Sequence, residues 1–176
     1  METGEIVLDG ILLVLVAAGA FTDLRSHRIP DWLSLPGVAL GLGLRWAFFG
    51  LGGAFDAGLV ASLFGGLVGF LVFGMFAIWG KGMGGGDVKL MTAVGSLAGL
   101  LHGLTCVMCV AVVGAVLALG LVVAKRRLLG TARGLLRRAF TTPRDGADRL
   151  TLPYGLPIAL GVLWATLIKH GILAGF

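Results

Sequence analysis

The chain has 176 residues, 57% of them hydrophobic and only 13% charged, with a mean hydropathy of +1.00. Soluble domains carry about a quarter charged residues, so a soluble globular enzyme is excluded and an integral membrane protein is indicated, with little chain left for a second domain. The formal net charge of +5 does not point to nucleic acid, because the basic excess lies in stretches that flank apolar runs.

A bilayer-spanning helix needs roughly 20 mostly apolar residues, and six such segments fit in order. The first runs from about Ile6 to Thr22. Its approach, METGEIVLDG, has three acidic residues and no basic one, unlike the positive start of a secretory signal, so it is expected to be a retained span. The second runs from Trp32 to Phe49, the third from Ala57 to Trp79 and the fourth from Val88 to Leu101. The fifth covers Leu104 to Ala124, so that a tight turn at residues 102–103 makes spans four and five a helical hairpin. The sixth covers Leu152 to Ile168. The fold class expected is an all-α polytopic bundle of six transmembrane helices forming one domain, residues 1–176. The 31 glycines suit it, because small residues let membrane helices approach closely. Gly95, Gly99 and Gly103, and likewise Gly37 and Gly41, repeat every four residues as ordinary helix-packing faces do.

Twelve of the fourteen basic residues fall on one side of this arrangement. They are Arg25, Arg28, Lys81, Lys89 and the eight between Lys125 and Arg149; only Arg45 and Lys169 fall toward the other. The positive-inside rule makes the richer side cytoplasmic and places both termini outside. Between residues 125 and 150, Leu128, Ala132, Leu135, Leu136, Ala139 and Phe140 recur at helical spacing opposite arginines. That pattern suits an amphipathic helix on the anionic cytoplasmic leaflet, which makes membrane lipid an expected partner. A substrate-facing lid is the alternative for the same segment.

Of the five acidic residues on that side, Asp145 and Asp148 sit among arginines in TPRDGADRL and read as solvated loop charges. Asp23 ends span one, and Asp87 follows the glycines of GKGMGGGDVKLM at the start of span four. Carboxylates at the edge of hydrocarbon are costly and mark a functional site by default. Two of them at one depth on different helices can meet, share a proton, and divide the work of base and acid in peptide hydrolysis. No metal or nucleophilic side chain is then required. The plainer alternatives are an ion pair of Asp23 with Arg25 or Arg28, and a helix-capping role for Asp87. The glycines would let an extended peptide come close, though glycines also simply make loops.

Other chemistries are poorly served. The lysine after Asp87 is followed by Leu90, so a phosphate loop fails. His27, His102 and His170 are scattered and suggest no metal site. Cys106 and Cys109 lie inside span five as small apolar fillers.

Together these stretches resemble the type IV prepilin peptidases, membrane aspartyl proteases with a GxGD motif. Gly84-Gly85-Gly86-Asp87 fits that motif and continues as Val88-Lys89-Leu90. Asp23, followed by Arg25 and Ile29-Pro30, resembles the first aspartate motif, and Leu152-Pro153-Tyr154-Gly155-Leu156-Pro157 the motif that opens the last helix. The resemblance implies Asp23 and Asp87 as catalytic residues, Gly84, Gly86 and Lys89 as support, and prepilin or pseudopilin precursors as partners. It implies removal of a short basic leader, usually after a glycine, at the cytoplasmic face of the inner membrane, with no cofactor. Where the family commonly has asparagine this chain has Asp31, expected to cap span two or to attract the leader. The connection between spans one and two lacks the cysteine-rich insert of longer members, which implies a protease without methyltransferase activity. The compact form resembles the peptidases of tight-adherence (Flp) pili, with archaeal preflagellin peptidases as relatives. The alternative from another class is a small transporter or channel subunit using Asp23 and Asp87 as ion sites.

Overall fold

The computed structural model describes residues 3–26, 29–53, 55, 57–80, 84–124 and 154–171. The described residues are helical with no strand: α1 (Thr3–Ser26), α2 (Asp31–Phe49), α3 (Leu59–Gly80), α4 (Gly85–Ala124) and α5 (Gly155–Lys169). The first four are long and apolar enough to cross a membrane, and α5 is a shorter apolar helix. The expected amphipathic segment between 125 and 150 lies outside the described residues, as do Arg28, Lys81 and the Leu152-Pro153 pair.

In α1 the buried positions Leu8, Leu12, Leu15, Val16, Gly19, Ala20 and Asp23 recur every three or four residues. This is the stripe a helix presents to a core. Leu90 of α4 reaches onto Gly19, where an added Cβ would stand 2.9 Å from its side chain. The core is completed by Met91, Val94 and Leu97 of α4 and by Ile158 and Val162 of α5. The outward faces carry Phe64, Leu67, Phe70 and Leu71 of α3 and Trp32 and Trp46 of α2, as lipid-facing surfaces do.

Between α3 and α4 there is almost no room for side chains. A Cβ on Gly69 would meet the Met91 carbonyl, and one on either Gly65 or Gly95 would collide with the other's backbone. Helix backbones in this contact touch directly, the small-residue packing that membrane bundles rely on.

The hairpin expected at residues 102–103 turns instead at Gly99. This residue has φ 76° and ψ −177°, the left-handed side of the backbone map that glycine alone enters freely. A Cβ at Gly103 would stand 3.5 Å from the Cα of Gly95, although eight residues of unbroken helix would separate them by about 12 Å. The chain therefore folds back, and α4 is two helical halves meeting at Gly99. The break lies at this position because its freed carbonyls have a partner. Arg45, only 3% exposed, donates from Nε to the Leu97 carbonyl at 2.9 Å and from Nη2 to the Ala98 carbonyl at 2.6 Å. It also donates from Nη1 to Ala57. A broken membrane helix is tolerated where neighbours satisfy the exposed backbone in this way.

Candidate active site

Asp23 and Asp87 come from helices of opposite direction and lie at the same end of the bundle. Each is 6% exposed, and the charge on Asp23 reaches Asp87. Each carboxylate is also held by one backbone N–H. Gly155, the first residue of α5, donates to Asp23 Oδ2 at 2.7 Å. Gly84 donates to Asp87 Oδ2 at 2.9 Å.

The Gly155 contact depends on the absence of a side chain. A Cβ there would stand 2.8 Å from Asp23 Cβ and 3.1 Å from Ala20 Cα. The free N–H groups of a helix start favour an anion, and here α5 offers one of its own to Asp23. The alternative of an ion pair between Asp23 and Arg25 is not seen among the described residues, where Asp23 bonds α5 instead; Arg28 lies outside the described residues.

Asp87 does cap its helix, at the third helical position rather than at the N-cap. Its carboxylate reaches back to the N–H of Gly84, while its own N–H donates to the Gly84 carbonyl at 3.1 Å. This is the acidic half of a capping box. It fixes the side chain against the start of α4 and leaves Oδ1 without a bond to a described residue.

The residues expected to support the site make separate contacts. Gly86 is covered by the connection from α1 to α2: a Cβ there would stand 2.9 Å from the Ile29 carbonyl and 3.0 Å from Ile29 Cβ. Gly85 faces open space. Lys89 grips both oxygens of Asp31 at 2.7 Å, with side chains 45% and 59% exposed. Asp31 accordingly does not cap α2; Pro30 is the N-cap residue, and no side chain caps it. Its charge is paired with Lys89 instead of standing free. The contacts at Gly86 and Lys89 pin the 29–31 segment to α4 on both sides of Asp87.

At the other end of the bundle lies a second polar group that sequence reasoning missed. Arg45 faces Glu5 at 3.6 Å, and Lys169 bonds Glu5 at 2.6 Å and Asp9 at 2.8 Å. His170 lies 3.1 Å from Asp9, and the fields of all four charged residues reach His102. The signal was available: Arg45 and Lys169 are the two basic residues off the basic side, and Glu5 and Asp9 are acidic residues inside an apolar run. Among the described residues no group of three His, Cys, Asp or Glu is placed to hold a metal ion.

Comparison with known proteins gives a family. A prepilin peptidase of Methanococcus maripaludis, EppA, is 35% identical over 92 residues. The match takes in 52% of this chain and only 22% of that relative. No solved structure matches the chain. The model of the type IV leader peptidase family matches residues 10–119, a stretch that contains both aspartates. By that match over more than half its length, the chain belongs to the type IV leader peptidase family.

Proposed function

We propose that this chain is a membrane-embedded aspartyl endopeptidase that removes the short basic leader of type IV prepilin-like precursors. The observation that carries the reading is the pair of buried carboxylates, Asp23 and Asp87, on different helices at the same end of the bundle. One carboxylate draws a proton from water as it attacks the scissile carbonyl; the other, protonated, supplies the departing nitrogen. The Gly155 and Gly84 N–H groups hold the two side chains in place, so that neither has to be ordered by the substrate. Which aspartate takes which role belongs to the pair as a coupled unit.

The setting is a cytoplasmic membrane with six crossings, the two halves of α4 counting separately, and both termini outside. The distribution of basic residues supports this orientation and puts the aspartates at the cytoplasmic face. The substrate's apolar helix enters from lipid while its leader stays in water near Asp31. Residues 27–30 alone separate α1 from α2, and the absence of a cysteine-rich insert there supports cleavage without methylation.

The test is co-expression with a candidate prepilin, following precursor size on a gel. Asp23→Asn and Asp87→Asn are expected to leave the precursor uncut at normal membrane levels of the protein. Processing by both variants would sink the assignment. The mass of the mature N-terminus reports on methylation, and an added methyl group dependent on this chain would refute that part.

A further inference from the structure

Helices α1 and α5 run antiparallel and are tied at both ends. At one end Gly155 N–H bonds Asp23 at 2.7 Å. At the other, Lys169 Nζ bonds both oxygens of Asp9 at 3.0 and 2.8 Å, and Glu5 at 2.6 Å. The interval from Asp9 to Asp23 and that from Gly155 to Lys169 are equal, fourteen residues each. At 1.5 Å per residue both span about 21 Å. Both ties are satisfied together in the present axial register.

Packing of Ile158 and Val162 in the core fixes part of that register. Where α5 presses closest on its neighbours it does so through glycine: Gly155 against Ala20 and Asp23, and Gly161 against the backbone of Val110. Glycine contacts permit close approach but offer no side-chain ridge to resist sliding along the axis. The polar cluster supplies what they lack. Asp9 is 4% exposed, and its partners Lys169 and His170 both come from the end of α5. Glu5 is shared between Lys169 and Arg45, which joins the tie to α2 and to the break at Gly99. Removing Lys169 takes the shared cation from both Asp9 and Glu5 and leaves Asp9 with His170 alone.

We infer that Lys169 and Asp9 are positioning residues: they set the axial register of α5 on α1 and thereby hold the Gly155 N–H against the Asp23 carboxylate at the far end of the bundle. The inference rests on the proposed role of Asp23 for its catalytic consequence, while its structural core can be read without any activity. A displacement of about 1 Å at a reacting group can cost on the order of a hundredfold in rate, so a small slip suffices.

The experiment uses full-length protein in membranes or detergent, with Lys169→Met, Lys169→Arg and Asp9→Asn. Two readouts are taken: amide hydrogen exchange along the chain, and kcat and KM for a precursor substrate. Lys169→Met and Asp9→Asn should speed exchange at Gly155 at least tenfold while α2 and α3 keep their protection. They should lower kcat about tenfold or more with KM within twofold, and Lys169→Arg should stay within twofold of the parent on both readouts. Unchanged protection at Gly155 in both loss-of-charge variants overturns the inference. So does an even loss of protection over all helices, which marks general destabilisation. If Gly155 responds as expected but Asp23→Asn still cleaves, the register lock stands and the catalytic reading of Asp23 fails.

Discussion

Replacing Gly155 with alanine adds one methyl group at the point where α5 meets Asp23. That Cβ would stand 2.8 Å from Asp23 Cβ, 3.0 Å from Oδ2 and 3.1 Å from Ala20 Cα. Carbon atoms rest at about 3.5–4.0 Å, so the start of α5 must retreat by roughly 0.7 Å or more. The 2.7 Å bond to Oδ2 then stretches to about 3.4 Å, at the edge of what counts as a hydrogen bond. A hydrogen bond to a charged group contributes about 1.5–3 kcal/mol, and overpacking costs about 1–3 kcal/mol. The expected outcome is a loss of several kcal/mol of stability and a fall in kcat on the order of a hundredfold. Gly85→Ala is the matched control, since a Cβ there meets nothing within 4 Å; it should keep both stability and kcat. The assay is precursor cleavage by purified protein, with thermal unfolding in the same detergent. A Gly155→Ala variant that cleaves at the parental rate would refute the claim that this contact positions Asp23.

Three further outcomes follow from the geometry. Arg45→Met leaves the Leu97, Ala98 and Ala57 carbonyls without their donor while Glu5 keeps Lys169, and should lower unfolding stability by about 3–5 kcal/mol; Arg45→Lys should recover only part, because an ammonium lacks the planar fork. Gly99→Ala places a side chain at φ 76° and 2.9 Å from Arg45 Cζ, so thermal unfolding should show a loss of at least about 1–3 kcal/mol. Asp31→Asn and Lys89→Met break an exposed ion pair and should each change stability by less than about 1 kcal/mol, with the effect fading further in high salt.

Much of the candidate site was legible in the sequence because its two carboxylates stand at the edges of apolar runs, where chance seldom leaves a charge. Depth along two helices could be matched by counting. The partners of those carboxylates could not be read so directly. The Gly155 bond to Asp23 bridges 132 positions, and no local pattern in α1 points to it. The hairpin of α4 was legible as a hairpin, but its turn was not. SLAGLLHGLT offers two glycines on either side of a leucine pair, and what selects Gly99 is Arg45, more than fifty positions earlier and on another helix. Asp31 shows the same limit: its place at the start of α2 suggested a cap, while Lys89, 58 positions away, claims the carboxylate.

The bond between α5 and Asp23 also bears on the order in which the protein is made. A chain emerging from the ribosome delivers Asp23 early and Gly155 late, after α2, α3 and both halves of α4. Until α5 arrives, Asp23 lacks its backbone donor, and Glu5 and Asp9 at the other end lack Lys169. A partly synthesised chain therefore carries both aspartates in an unfinished setting, and completion of the site waits on the last helix.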